Sequence, residues 1–116
     1  MAIRPFMGDV VLTSAARTAT ASSGPVAAPG QASVAVLLVH CSAASGTTPT
    51  LDVALEQSAD GTSWSAVTGG GATQLTAAGN RIATAGITAN YVRATATIGG
   101  TTPSFTFSAT IAFLQG

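Results

Sequence analysis

Apolar and polar positions alternate with a period of two along most of this chain, and no segment keeps a helical period beyond a turn or two. The cleanest run is SFTFSATIAFLQG, residues 104–116, where Phe105, Phe107, Ala109, Ile111 and Phe113 alternate with Thr106, Ser108 and Thr110. Successive strand side chains point to opposite faces, so this spacing predicts a strand with three of the four phenylalanines on one side. Residues 91–98 predict another, with Val92, Ala94, Ala96 and Ile98 on one face and Tyr91, Arg93, Thr95 and Thr97 on a polar outer face. A short strand near residues 81–84 precedes it. Residues 32–43 differ, because Val34, Val36, Leu38 and His40 form one face while Leu37, Val39 and Cys41 form the other. Both faces are apolar, and a strand of that kind needs cover on both sides. In a two-layer sandwich one side is the core, and an arm, a loop or a neighbouring subunit covers the other. Residues 9–22 are extended and Thr-rich, reading as one long or two short strands closed by the breaker-rich SGPVAAPG.

The stretch LDVALEQSADGTSWSAVTG, residues 51–69, reads as a hairpin or as a site. With Asp60-Gly61 as the centre of a two-residue type I′ turn, Ala59 faces Thr62, Gln57 faces Trp64 and Leu55 faces Ala66. Trp64 then shares the core face of Leu51, Val53 and Leu55, Asp52 and Glu56 point outward, and Asp60 supplies turn chemistry. A three-residue loop would shift the pairing by one and put Trp64 outside beside Glu56. The glycine run that follows, TGGGATQ, reads as a flexible loop. No internal repeat of solenoid length stands out.

Strand signals at short spacing, separated by Gly/Pro turns, predict an all-β antiparallel β-sandwich, jelly-roll or immunoglobulin-like. Residues 1–8, MAIRPFMG, carry apolar side chains ahead of any regular pattern and read as an extended N-terminal arm that needs a surface to dock on. Residues 9–116 then form one domain. A chain of 116 residues folds without a metal or disulfide staple, burying roughly two-thirds of its unfolded surface.

Charge narrows the function classes. Only 7% of residues are charged, four acidic against four arginines with no lysine, and the formal net charge is zero. Such a surface exerts no long-range pull on nucleic acid or on an anionic membrane, and it favours association. At 47% hydrophobic the chain is too apolar for disorder. The single cysteine excludes an internal disulfide. The start lacks the apolar core and cleavage site of a secretory signal, and VAVLLVHC, the longest apolar run, is strand-sized. Synthesis and use without crossing a membrane by the standard route are therefore expected.

Candidates for chemistry are few. His40 and Cys41 are adjacent in a strand and so face opposite ways, which prevents shared metal ligation or a nucleophile–base pair. No serine occupies a G-x-S-x-G elbow, and TGGGAT lacks the lysine of a phosphate loop. Glu56 and Asp60 would serve a glycosidase only by facing one cleft, which the hairpin register denies. No catalytic, cofactor or metal site is expected. Arginine suits interface ion pairs, so Arg4, Arg17 and Arg93 are candidates for pairing with carboxylates on a partner.

Two segments, LDVALEQSADGTSW and NYVRATATIGGTTPSFTFSATIAF, resemble small virion proteins of tailed bacteriophages, including capsid decoration or cement proteins. The resemblance covers roughly the last two-thirds of the chain; few charges and a glycine run in place of a longer strand set this chain apart. It implies a β-domain that binds the outside of an assembled head and stabilises it, with the major capsid protein as partner and a dimer or trimer as its own assembly. The arm residues Ile3, Arg4, Pro5, Phe6 and Met7, with Arg17 and Arg93, are then the expected capsid or subunit contacts. Within structural proteins the alternative is a tail or head-completion component. From another class, a carbohydrate-binding or adhesin domain would use Trp64 and Tyr91 as an exposed aromatic platform.

Overall fold

A computed structural model describes residues 9–28 and 32–115; the arm, with Ile3, Arg4, Pro5, Phe6 and Met7, lies outside the described residues. Seven strands are found among them: β1 Asp9–Arg17, β2 Ala21–Ser22, β3 Val26–Ala27, β4 Ala32–Ser58, β5 Ser65–Gly71, β6 Gly79–Gly86 and β7 Tyr91–Gln115. Every strand pairing is antiparallel, in agreement with the all-β expectation.

The frame is a ribbon of two very long strands, β4 and β7, paired from Ala32↔Gln115 to Ser58↔Tyr91. Sequence patterning divides each of them in two; the structure joins the pieces. At about 3.3 Å per residue the 27 residues of β4 would span about 90 Å if straight, whereas the longest dimension of the molecule is 49 Å. The ribbon therefore bends back on itself, and its two halves become the two layers of a sandwich. One layer runs β1, the C-terminal half of β7, the N-terminal half of β4, β6. The other runs β2 and β3, the N-terminal half of β7, the C-terminal half of β4, β5.

The bend has a sequence cause. Gly-Thr-Thr-Pro occurs twice, as Gly46–Pro49 in β4 and as Gly100–Pro103 in β7, and the equivalent residues Thr47 and Thr101 pair with each other. Gly46 and Gly100 have φ of +115° and +111°, and Thr48 and Thr102 have φ of +46° and +45°. A Cβ on Gly46 would lie 2.7 Å from the Thr102 carbonyl oxygen, and one on Gly100 would lie 2.7 Å from the Thr48 carbonyl oxygen. Each glycine thus makes room for the other copy of the motif. The same approximate two-fold relates β1 to β5 and β6 to the β2–β3 pair, so the chain is built as two tandem halves related by a pseudo-two-fold axis through the bend.

One core lies between the layers. Leu37, Val39 and Cys41 of β4, Leu51, Val53 and Leu55 beyond the bend, Val92 and Ala94 of β7, and Phe105, Phe107 and Ile111 at its far end are all buried. The alternation read from residues 92–96 and 105–113 holds. So does the outward placement of Asp52 and Glu56.

Two expectations give way. The glycine run ends strand β5 instead of forming a flexible loop, because the inner face has no space for side chains there: a Cβ on Gly70 would come within 3.0 Å of the Leu55 Cβ. The Asp60-Gly61 hairpin is not a two-residue type I′ turn, which needs positive φ at both central residues. Only Gly61 has it, at +82°. The Asp60 carboxylate instead accepts the backbone N–H groups of Thr62 (2.9 Å) and Ser63 (3.0 Å) and the Ser58 hydroxyl (2.9 Å). The buried Ser58 Oγ in turn accepts the N–H groups of Asp60 and Gly61. These bonds hold a loop of residues 59–64, and the first ladder pair becomes Gln57↔Ser65. The one-residue shift carries Trp64 out of the core, as the longer loop requires.

Edge strand β2–β3 is interrupted at Pro25, a residue that suits an edge because it donates nothing to a ladder. Ser23 bridges the gap: its N–H donates to the Ala94 carbonyl at 2.8 Å, and its hydroxyl accepts the Ala94 N–H at 2.9 Å.

Candidate functional site

The outer faces of the two layers have opposite chemistry although the pseudo-two-fold relates them. On the layer with β5, the Arg93 Nε donates to Glu56 Oε1 at 2.8 Å, and the Thr95 hydroxyl donates to the same oxygen at 2.7 Å. Glu56 and Arg93 face each other in the β4–β7 ladder, so the register itself brings the pair together. The Thr95 hydrogen bond, followed by Arg93, holds the Glu56 carboxyl below its ordinary value, against the opposing effect of partial burial. The Arg93 guanidinium lies over the half-buried Trp64 ring, 4.5 Å from its centroid, a cation–π contact. Tyr91 is two residues before Arg93 on the same face of β7, and its ring passes close to Gly61. Trp64, Arg93 and Tyr91 thus form a cluster beside the Asp60 loop. The Asp60 carboxyl sits well below the usual carboxylate range because the Ser63 and Thr62 N–H groups stabilise its charge.

Among the residues whose side chains are described, none on the outer face of the other layer is charged. Here His40 and Asn80 are cross-strand partners, with the imidazole Nδ1 2.5 Å from the amide oxygen. Beside them Leu38, Ile82, Ser108 and Thr110 border a shallow groove of about 430 Å³, which Val39 and Arg81 also line; Arg81 pairs with the buried Val39, so its side chain belongs to the inner face. Cys41 faces the core, and burial pushes its thiol above the ordinary value. The two adjacent residues therefore cannot act on one ligand. Among the described residues no group of three or more His, Cys, Asp or Glu is placed to hold a metal ion.

Arg17 and Arg93, the expected partner contacts within the described residues, lie on opposite layers. The Arg17 guanidinium donates to the carbonyls of Phe107 (3.0 Å) and Thr13 (2.8 Å) and lies 4.8 Å from the Phe107 ring centroid. Both arginines are held by the fold, and each keeps N–H groups that this network leaves over. Residue patterning missed the surface roles of Val10, Ile82 and Thr95. The signal for Ile82 was its place opposite the inward Arg81 and Ala83 in a short alternating run. That for Thr95 was its position on the polar face two residues beyond Arg93.

No family model and no curated protein matches the sequence. The fold, however, is shared with solved structures. The PBSX exported protein XepA aligns with 95% of this chain at a TM-score of 0.70 and 14% identity; the chain spans 37% of that protein's length. The SPBc2 prophage-derived protein YomS aligns over 97% of this chain and 96% of its own, with a TM-score of 0.55 and 10% identity. A chain in the structure of infectious bursal disease virus, Gx strain, aligns with all of this chain and 34% of its own at a TM-score of 0.60 and 16% identity. The two-layer β-domain is thus a fold found in prophage-derived and viral proteins.

Proposed function

We propose that this chain is a non-enzymatic structural protein of a bacteriophage virion, made in the host cytoplasm, that binds the outer surface of the head and stabilises the capsid lattice. The observation that carries the reading is the sharing of the fold with a prophage-derived protein and with a chain in a virus structure. Low charge supports it, since it removes the repulsion that keeps a free monomer apart. In this mechanism many copies bridge neighbouring capsomers, each contributing a modest contact, and the regular lattice converts weak contacts into avidity. Ile3, Pro5, Phe6 and Met7 supply apolar area against the major capsid protein. Arg4, Arg17 and Arg93 supply donors to its carboxylates and carbonyls.

The test is co-sedimentation with purified heads that lack the protein. The full chain should sediment with the heads, and a variant lacking residues 1–8 should stay in the supernatant while keeping its β-rich circular dichroism. Equal binding by the truncated chain would contradict the assignment of the arm.

A second reading is a glycan-binding or adhesin domain centred on Trp64 and Tyr91, and the placement of Trp64 outside the core favours it. It requires saturable quenching or enhancement of Trp64 fluorescence by an oligosaccharide, abolished by Tyr91→Ala. The head-binding reading predicts no such saturation.

A further inference from the structure

A row of side chains crosses the uncharged outer face from edge to edge. Val10 of β1 pairs with Thr110 of β7, Thr110 with Leu38 of β4, and Leu38 with Ile82 of β6. The three large apolar members are open to solvent, Val10 at 58%, Leu38 at 43% and Ile82 at 64%. Half-buried Val36 and Val34 extend the apolar surface along β4, flanked by Ala112 and Leu114. A contiguous apolar strip of this kind on a sheet face marks an interaction site.

We infer that this face packs against the same face of a second copy, giving a two-fold symmetric dimer. Three considerations select that occupant. A surface without charge is best met by another without charge, because any charge brought against it would be desolvated unpaired. The related face of the other layer carries Asp52, Glu56 and Arg93, so only self-pairing of the uncharged face meets that condition among the two outer faces described. The size also fits. Four strands about 4.8 Å apart and seven residues long, at about 3.3 Å each, offer roughly 450 Å² in projection per copy. A face-to-face pair therefore removes about 1,000 Å² of accessible surface, the lower end for a specific interface.

Leu38 stands on a central strand in the central row, so the two-fold brings it against its own equivalent or against Thr110 beside it. The groove between Leu38, Ile82, His40 and Asn80 then receives an apolar side chain of the partner copy. This contact belongs to the free protein and does not depend on any capsid.

Sedimentation velocity of the purified full chain over about 1–200 µM, a range suited to a weak contact below the standard interface size, tests it. Wild type should move from monomer to dimer with rising concentration. Leu38→Lys places two like charges near the axis and should weaken the dimer at least tenfold; Ile82→Lys, nearer the rim, should weaken it less. Both positions are exposed, and unchanged circular dichroism and thermal midpoint certify the fold of each variant. A wild-type monomer throughout the range, or a dimer indifferent to Leu38→Lys, would overturn the proposal. So would a monomer in which Leu38→Lys exposes residues 1–8 to protease, since that result would give the face to the chain's own arm.

Discussion

At the scale of single residues, the four positive-φ positions of the bend control the architecture. Gly46 and Gly100 combine a backbone conformation closed to L side chains with backbone 2.7 Å from where a Cβ would stand. Gly46→Ala or Gly100→Ala should each destabilise the fold by about 2–4 kcal/mol in urea unfolding, through strain added to overpacking. Thr48 and Thr102 hold a conformation unfavourable to β-branched residues. Thr48→Asn should accordingly leave stability unchanged or raise it by up to about 1 kcal/mol. A loss of stability from Thr48→Asn would mean that the threonine side chain matters more to the bend than the strain it carries. The Glu56 carboxyl provides a second residue-scale prediction. Its pKa in the fold is lowered by Thr95 and Arg93, as that of Asp60 is by the Ser63 and Thr62 amides, so the folded state binds fewer protons than the unfolded chain in the acid range. Their stabilisation is complete above the ordinary carboxylate pKa and drains away as pH falls through the lower folded values. Thermal midpoints should therefore drop between about pH 5 and pH 2, and Glu56→Gln should flatten part of that slope. The Glu56 pair itself, with both side chains one-quarter (25%) exposed, is worth about 0.2–1 kcal/mol at neutral pH.

At the scale of elements, the strands depend on what their inner faces bury and on what closes their ends. Phe107 is fully buried in the second half of β7, beneath the Arg17 guanidinium, and Phe107→Ala should cost about 3–5 kcal/mol. The Asp60 loop depends on Ser58, whose buried hydroxyl accepts two backbone N–H groups. Ser58→Ala leaves those donors without it and should cost about 1–3 kcal/mol while making Trp64 more accessible to acrylamide. The alternation of residues 105–113 was legible because a sheet buried on one side leaves a period of two in the sequence. The register around Trp64 was not, because the competition between a two-residue turn and a loop stapled by Asp60 is decided by carboxylate and hydroxyl geometry that spacing does not encode. The joining of strands across Gly46 and Gly100 escaped for a related reason: glycine and proline ordinarily end strands, and here, paired with a second copy of themselves, they bend one. The repeated Gly-Thr-Thr-Pro was in plain view as the signal. Val34 to His40 read as needing cover on both faces, and the structure covers one of them, leaving Leu38 exposed.

At the scale of the whole molecule, two tandem halves share one core while their outer faces diverge. One face answers its own charges internally, Glu56 with Arg93 and Thr95; the other carries no charge and presents Val10, Leu38 and Ile82 to solvent. A domain so arranged is suited to assembly. The all-β class was readable from composition and alternation alone, whereas the division of labour between the two faces needed the strand register that places each residue across the sheet. The measurement that tests the account most directly is the copy number of this chain in purified phage particles, by quantitative mass spectrometry against the major shell protein. The account predicts a ratio commensurate with the shell lattice. A few copies per particle, as for a tail or head-completion component, or none at all, would contradict it.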